Sequence, residues 1–190
     1  WNLERFAESL IPLIDQDSNK ALKITTDILQ KFAQKYKKSW FKMMREKLGL
    51  LGEDSNDEQL IVELLSWMHQ NKADYTNTFC HLMGELKIDG EIYNKQQFTD
   101  WKHRWKIRCK AYNNTLQKSL KIMRKANPLV IPRNHLVEEA LIAATEKNDL
   151  TKIYKLLDTI EHPYKNSSEI SSYQYFPASK DKIYKTFCGT

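Results

Sequence analysis

The chain has 190 residues, of which 41% are apolar and 28% charged, and its formal charge is +6. That balance excludes a disordered or fibrous chain and bounds the molecule to one medium domain, or one domain with a smaller appendage. At this length folding buries roughly 70% of the unfolded surface, so neither a metal nor a disulfide is needed as a staple.

Nearly every segment reads with helical period. The first runs from Trp1 through Leu3, Phe6, Leu10, Leu13 and Ile14, with Pro12 expected to kink or tighten its last turn. A longer helix is expected from about Lys20, with Ile24, Ile28, Phe32, Tyr36, Trp40 and Met43 as its inward stripe, ended by Gly49 and Gly52. Ser55-Asn56-Asp57-Glu58 has the form of a capping box and opens a third helix, carrying Leu60, Ile61, Leu64, Leu65 and Met68. Asp74 caps a fourth, with Tyr75, Phe79, Leu82, Met83 and Leu86 inside. Asp89-Gly90 is a turn, followed by a short extended piece at Glu91 to Tyr93.

A long helix is expected from about Gln96 to Lys125, because Trp101, Trp105, Cys109, Tyr112, Leu116, Leu120 and Met123 form one continuous stripe. Asn127-Pro128 ends it. A helical hairpin follows, from about Arg133 to Lys147 and from Asp149 to Ile160, hinged at Asn148-Asp149. From His162-Pro163 the periodicity fails and the chain becomes a polar tail, which Tyr164, Tyr173, Tyr175 and Phe176 are placed to pin. The fold class is therefore all-α, a bundle of about seven helices over residues 1–160 with an extended tail over 161–190.

No window holds the ~18 uninterrupted apolar residues of a membrane span. Glu4, Arg5 and Glu8 interrupt the first apolar stretch, so it does not read as a signal peptide. The three cysteines, Cys80, Cys109 and Cys188, are too widely spaced for a secreted disulfide framework, which points to a reducing compartment. The five glycines build neither a P-loop nor a Rossmann fingerprint. The positive charge fits nucleic acid or an acidic partner, but its size is also ordinary for a soluble domain.

Lys102, His103, Arg104, Lys106, Arg108 and Lys110 interleave with Trp101 and Trp105. Such a stretch can hold phosphates and stack bases. The rings share the apolar stripe, however, so they read as core and the charges as its solvated back. The five histidines show no metal-ligand spacing, and no carboxylate pair stands out as acid and base. Helix dipoles account for Asp57, Glu58 and Asp149. Arg133, Asn134 and His135 follow Pro132 at a helix start; they form either a structural cap, packed on a neighbouring helix end, or an anion site. Cys188, on the tail, is the thiol most open to oxidation; Cys80 and Cys109 sit in helical patterns and read as space-filling.

Several strings in order resemble the selenoprotein O family, the kinase-like protein adenylyltransferases also called YdiU proteins. Trp1-Asn2-Leu3 with Arg5-Phe6-Ala7-Glu8 is similar to the family's W-N-L-x-R-[LF]-A-E segment. Met44-Arg45 with Lys47-Leu48-Gly49-Leu50 resembles M-R-x-K-L-G-L, and Ala73-Asp74-Tyr75-Thr76-Asn77 with Phe79 matches A-D-Y-T-N-x-F. Asn127-Pro128 and Arg133-Asn134-His135-Leu136 are similar to N-P and R-N-H-L, and Pro163-Tyr164 echoes the family's R-P-Y. The ending Cys188-Gly189-Thr190 resembles the family's terminal C-S-S, with the thiol in place and both serines replaced.

The resemblance implies that the intact protein moves AMP from ATP, with Mg2+ or Mn2+, to hydroxyls of protein substrates. It places the nucleotide- and metal-binding groups ahead of Trp1, so no catalytic, cofactor-binding or metal-ligating residue carries over to this chain. It implies a partner in the upstream kinase-like region of the same protein, and a redox role for Cys188 with a cysteine outside this chain. The compartment it implies is the bacterial cytoplasm, or the mitochondrion in a eukaryote. No membrane partner is expected and nucleic acid is disfavoured. The rival reading is a free-standing basic helical module for RNA or an acidic protein.

Overall fold

A computed structural model of the chain describes residues 1–166 and 170–175. Among them all regular structure is helical. Two compact units divide the chain, Trp1–Met44 and Arg45–Thr190.

The first unit holds α1 (Asn2–Ile14), α2 (Ser18–Gln30) and most of α3 (Phe32–Leu48). Pro12 lies within α1, and α1 packs on α2. The Asp17 carboxylate starts α2 by accepting from the Asn19 and Lys20 amides at 2.9 and 3.3 Å. The single helix expected from Lys20 onward is in fact two, because the Lys31 amide turns back to the Ile28 carbonyl at 3.2 Å and tightens the last turn. The expected inward stripe also differs. Ile24, Ile28, Phe32, Tyr36 and Met43 are exposed, while Ala21 and Thr25 are the buried side chains of α2.

The second unit continues with α4 (Asp57–Asn71), α5 (Tyr75–Met83), a 3-10 turn (Glu91–Asn94), α6 (Gln96–Cys109) and α7 (Leu116–Ala126). Then come α8 (Asn134–Lys147), α9 (Thr151–Glu161) and α10 (Ile170–Gln174). Helix α4 packs on α6, α7 packs on α5 and α6, and α8 and α9 form the expected hairpin about Asn148, which takes a left-handed φ of 52°. The core is aromatic: Trp67, Tyr93, Phe98, Trp101 and Trp105 are all buried. The Trp101 indole N–H donates to the Leu60 carbonyl and that of Trp105 to the Leu48 carbonyl, both at 2.8 Å. Both carbonyls thereby gain a partner away from water.

Three expectations are corrected here. The long helix expected over 96–125 breaks after Cys109. Tyr112 and Asn113 adopt left-handed φ values of 57° and 54°, and the Thr115 hydroxyl caps α7 by accepting from the Lys118 amide. Asn114 fixes the break by donating to the Cys109 carbonyl at 3.0 Å and the Ser119 hydroxyl at 2.8 Å. The capping box at Ser55 does not form. Asn56 is the N-cap of α4 without a side-chain bond, and Asp57 is buried against Arg108. Glu91 to Tyr93 is a 3-10 turn, not an extended piece. Within the expected tail, Ile170, Tyr173 and Gln174 are buried from one short helix, while Tyr164 and Tyr175 are exposed; Phe176 lies outside the described residues.

Gly49 stops α3 with φ at 66°, and a Cβ there would sit 2.5 Å from the Ser119 carbonyl oxygen of α7. Neither the backbone nor the space accepts a side chain. Gly49→Ala is expected to lower unfolding stability by about 2 kcal/mol or more, read by urea denaturation. Unchanged stability would contradict this close approach.

Candidate functional site

Sequence-distant polar residues meet in the second unit at the N-terminus of α5. Asp74 occupies the N-cap position and its carboxylate accepts from the Asn77 amide at 2.8 Å. The same carboxylate receives both terminal nitrogens of Arg133, at 2.8 and 3.0 Å. Arg133 also donates to the Asn77 side-chain oxygen at 3.1 Å and, through Nε, to the Tyr173 carbonyl at 2.7 Å. Its side chain is 4% exposed. Asn77 passes the network on, donating to the Gln174 carbonyl at 2.8 Å. The Gln174 amide in turn donates to the Glu85 carbonyl at 3.0 Å, and its oxygen accepts from the Lys87 amide at 2.8 Å. Burial opposes the charged form of Asp74, but the Arg133 bonds and the Asn77 amide outweigh it and hold the carboxyl below its ordinary value.

A second node forms on α5 at the rings of Tyr75 and Phe79. Lys47 Nζ donates to the Asn127 side-chain oxygen at 3.0 Å and lies 4.9 Å from the Phe79 ring centroid and 5.4 Å from that of Tyr75. Asn127 answers by donating to the Lys47 carbonyl at 2.8 Å and to the Met123 carbonyl at 2.9 Å. Burial lowers the Lys47 ammonium below its usual pKa, against a smaller opposing effect of Cys80. The two nodes join segments that the sequence alone leaves apart. Lys47, Asp74-to-Phe79, Asn127 and Arg133 close on one another through α5.

Of the three residues expected at the start of α8, Arg133 enters this network and is the N-cap residue without a capping bond from its side chain. His135 is buried and Asn134 is exposed. Sequence reasoning gave Asp74 only its cap, and missed Asn77, Gln174, Lys47 and Asn127 as network members. It also missed the pairing of Asp57 with Arg108, at 2.7 and 3.1 Å, having assigned one to a helix dipole and the other to a solvated face. A surface cavity of about 410 Å³ opens beside that pair, between Gln59, Leu60, Arg104 and Ile107.

The thiols of Cys80 and Cys109 are buried, and burial pushes both up to about 11. Cys80 Sγ lies 3.8 Å from the Pro128 carbonyl oxygen and Cys109 Sγ 3.8 Å from that of Leu48. Cys188 lies outside the described residues. His81 stacks on Tyr93 with centroids 4.2 Å apart, and its Nε2 is 3.1 Å from Lys102 Nζ. Burial, then the Lys102 charge, brings the imidazole down to about 4. Among the described residues no three His, Cys, Asp or Glu side chains group as a metal site, and no helix is long and apolar enough to cross a membrane.

The family described as protein adenylyltransferase SelO matches residues 1–161. A protein nucleotidyltransferase YdiU of Pelagibacter ubique is 48% identical over 191 residues, taking in all of this chain and 39% of that protein. Proteins of the same name from Alcanivorax borkumensis and Clostridium botulinum are each 43% identical, again across the whole chain and 39% of their own length. The chain thus spans 39% of the length of these curated relatives.

Two outcomes follow from the buried groups. Because the His81 pKa falls from 6.5 unfolded to about 4 folded, the unfolded chain binds the extra proton between those values. The contribution of neutral His81 is therefore complete above pH 6.5 and declines as pH falls toward 4. His81→Phe is expected to flatten that part of the stability profile; a profile that keeps its slope would contradict the assignment. Cys80 and Cys109 are expected to resist iodoacetamide in the native chain at pH 8, because the thiolate is scarce that far below about 11. Alkylation of either at the rate of a free thiol, followed by peptide mass mapping, would contradict it.

Proposed function

The chain belongs to the protein adenylyltransferase SelO family, and on that premise we propose that it is the helical, non-catalytic portion of such an enzyme, C-terminal to a kinase-like catalytic region. The observation that carries this reading is the closure of the family strings on one another. Arg133, Asp74, Asn77, Lys47 and Asn127 all belong to those strings, and in this chain their polar atoms bond to protein groups. That is the work of a scaffold.

The intact protein would transfer AMP from ATP to a serine, threonine or tyrosine hydroxyl of a protein substrate. The hydroxyl oxygen bonds the α-phosphorus, pyrophosphate leaves, and the hydroxyl proton passes to a base. Mg2+ or Mn2+ would supply charge neutralisation at the phosphates. The buried cationic side chains nearest the candidate site are already committed to protein partners, which supports placing both groups outside this chain. Arg133 and Arg108 are bonded to Asp74 and Asp57, and His81 is held neutral between Tyr93 and Lys102. What this chain supplies is rigidity, through α5 and the two nodes that flank it.

Cys188 carries the redox part of the proposal. Oxidised by hydrogen peroxide, it would form a disulfide with a cysteine outside these 190 residues, two thiols and one peroxide giving one disulfide and two waters. Cys80 and Cys109 are unsuited as partners, being buried and held as thiols. The rival reading, a free-standing module for RNA or an acidic protein, has less support. Trp101 and Trp105 are buried with their N–H groups bonded, so neither ring offers a stacking face.

Calorimetry is expected to detect no micromolar binding of ATP to the 190-residue chain, whereas the intact parent protein binds it. Micromolar binding to the chain alone would overturn the non-catalytic reading. Mass mapping of the peroxide-treated parent is expected to find Cys188 in a disulfide. An unpaired Cys188 after complete oxidation would remove the redox role.

A further inference from the structure

The first unit is short of a core. Of its 44 residues, Trp1–Met44, only Ala21, Thr25 and Met44 are buried. Compact units of that size rarely stand alone, because the apolar area they bury does not offset the entropy of ordering the chain. Yet this unit is rich in large apolar residues, and they are not scattered. On α1, Phe6 and Leu13 stand seven residues apart on one face and are 61% and 82% exposed. On α2, Ile24 and Ile28 are one turn apart and exposed, beside the buried Ala21 and Thr25. On α3, Phe32 and Tyr36 repeat the one-turn spacing, with ring centroids 6.0 Å apart. Each helix thus has an apolar face wider than the strip it buries.

Large exposed apolar side chains, repeated at helical spacing on three successive helices, mark an interface. The occupant is indicated by length. The curated relatives extend well beyond the matched region, since the chain covers 39% of each, and the match runs through this unit from its first residue. We propose that the exposed apolar face of α1 and α2, continued by Phe32 and Tyr36 of α3, is the seat of the remaining part of the same polypeptide. It is the surface by which this helical portion docks against the rest of the enzyme. This rests on the reading of the chain as part of a longer adenylyltransferase, and it assigns the joint to the first unit.

The intact parent protein provides the test. p-Benzoylphenylalanine is placed at position 6 or 28, and at Lys23 as a solvent-facing control, and crosslinked peptides are identified by mass spectrometry after irradiation. Positions 6 and 28 are expected to crosslink in high yield to peptides outside these 190 residues, with little product from position 23. Crosslinks confined to Arg45–Thr190, crosslinks to a second copy, or yields no higher than at position 23 would each overturn the proposal. Carbene footprinting of the unsubstituted parent guards against misfolding of the variants. Peptides bearing Leu13 and Ile28 are expected to label several-fold less than the exposed peptide around Lys118, and equal labelling would overturn the docking face. If the chain alone bound ATP, the non-catalytic reading would fall while the crosslink map still located the joint.

Discussion

The second unit depends on one buried guanidinium. Arg133 is held by a carboxylate, a side-chain amide and a backbone carbonyl, and these come from the start of α5 and the C-terminal turn of α10. Taking such a charge out of water costs several kcal/mol, and the cost is offset only when the geometry is good and the remaining donors find acceptors. The planar fork of arginine meets the carboxylate with two parallel bonds, which the point charge of a lysine cannot do. Asp74 serves two ends at once, since the carboxylate that neutralises Arg133 also caps α5. Removing either partner leaves a buried charge stranded, which destabilises all three segments that meet there.

The same logic recurs wherever this unit joins distant helices. Asp57 and Arg108 tie the start of α4 to the end of α6, and Arg108 also reaches the Leu51 carbonyl at 3.0 Å. Trp101, Trp105 and Asn127 each donate to a carbonyl of another helix. Burial of aromatic surface supplies the driving force, but it is nearly indifferent to how one helix slides on another. The directional bonds select one arrangement.

Much of this was legible in the sequence, and the reasons for the rest are physical. Helical periodicity located the inward faces of α4 and α6 and the Phe79, Leu82 and Met83 side of α5, though Tyr75, expected inside, is exposed; Asp74, Asn127-Pro128 and Asn148 marked ends that the structure keeps. Periodicity could not reveal the break between α6 and α7. The inward residues of both helices happen to continue the same three- and four-residue spacing across the loop. The signal was Asn113-Asn114-Thr115, residues that tolerate left-handed backbone and cap helices. Nor does an apolar stripe say what covers it: Ile28 and Tyr36 read as core and lie exposed. The ion pairs were out of reach because Asp57 and Arg108, or Asp74 and Arg133, are tens of residues apart, and a single chain does not disclose its partners. The family strings carried that information in another form. They named residues that belong together without saying that they touch.

Arg133 is bonded to Asp74, Asn77 and the Tyr173 carbonyl, and on those bonds it is structural rather than an anion site. That role is tested most directly by Arg133→Lys in the intact parent protein, with thermal stability and the KM for ATP in the proposed AMP transfer measured side by side. A structural Arg133 gives a lower Tm for the variant with the KM for ATP unchanged in the folded protein. A raised KM for ATP at unchanged Tm would contradict it.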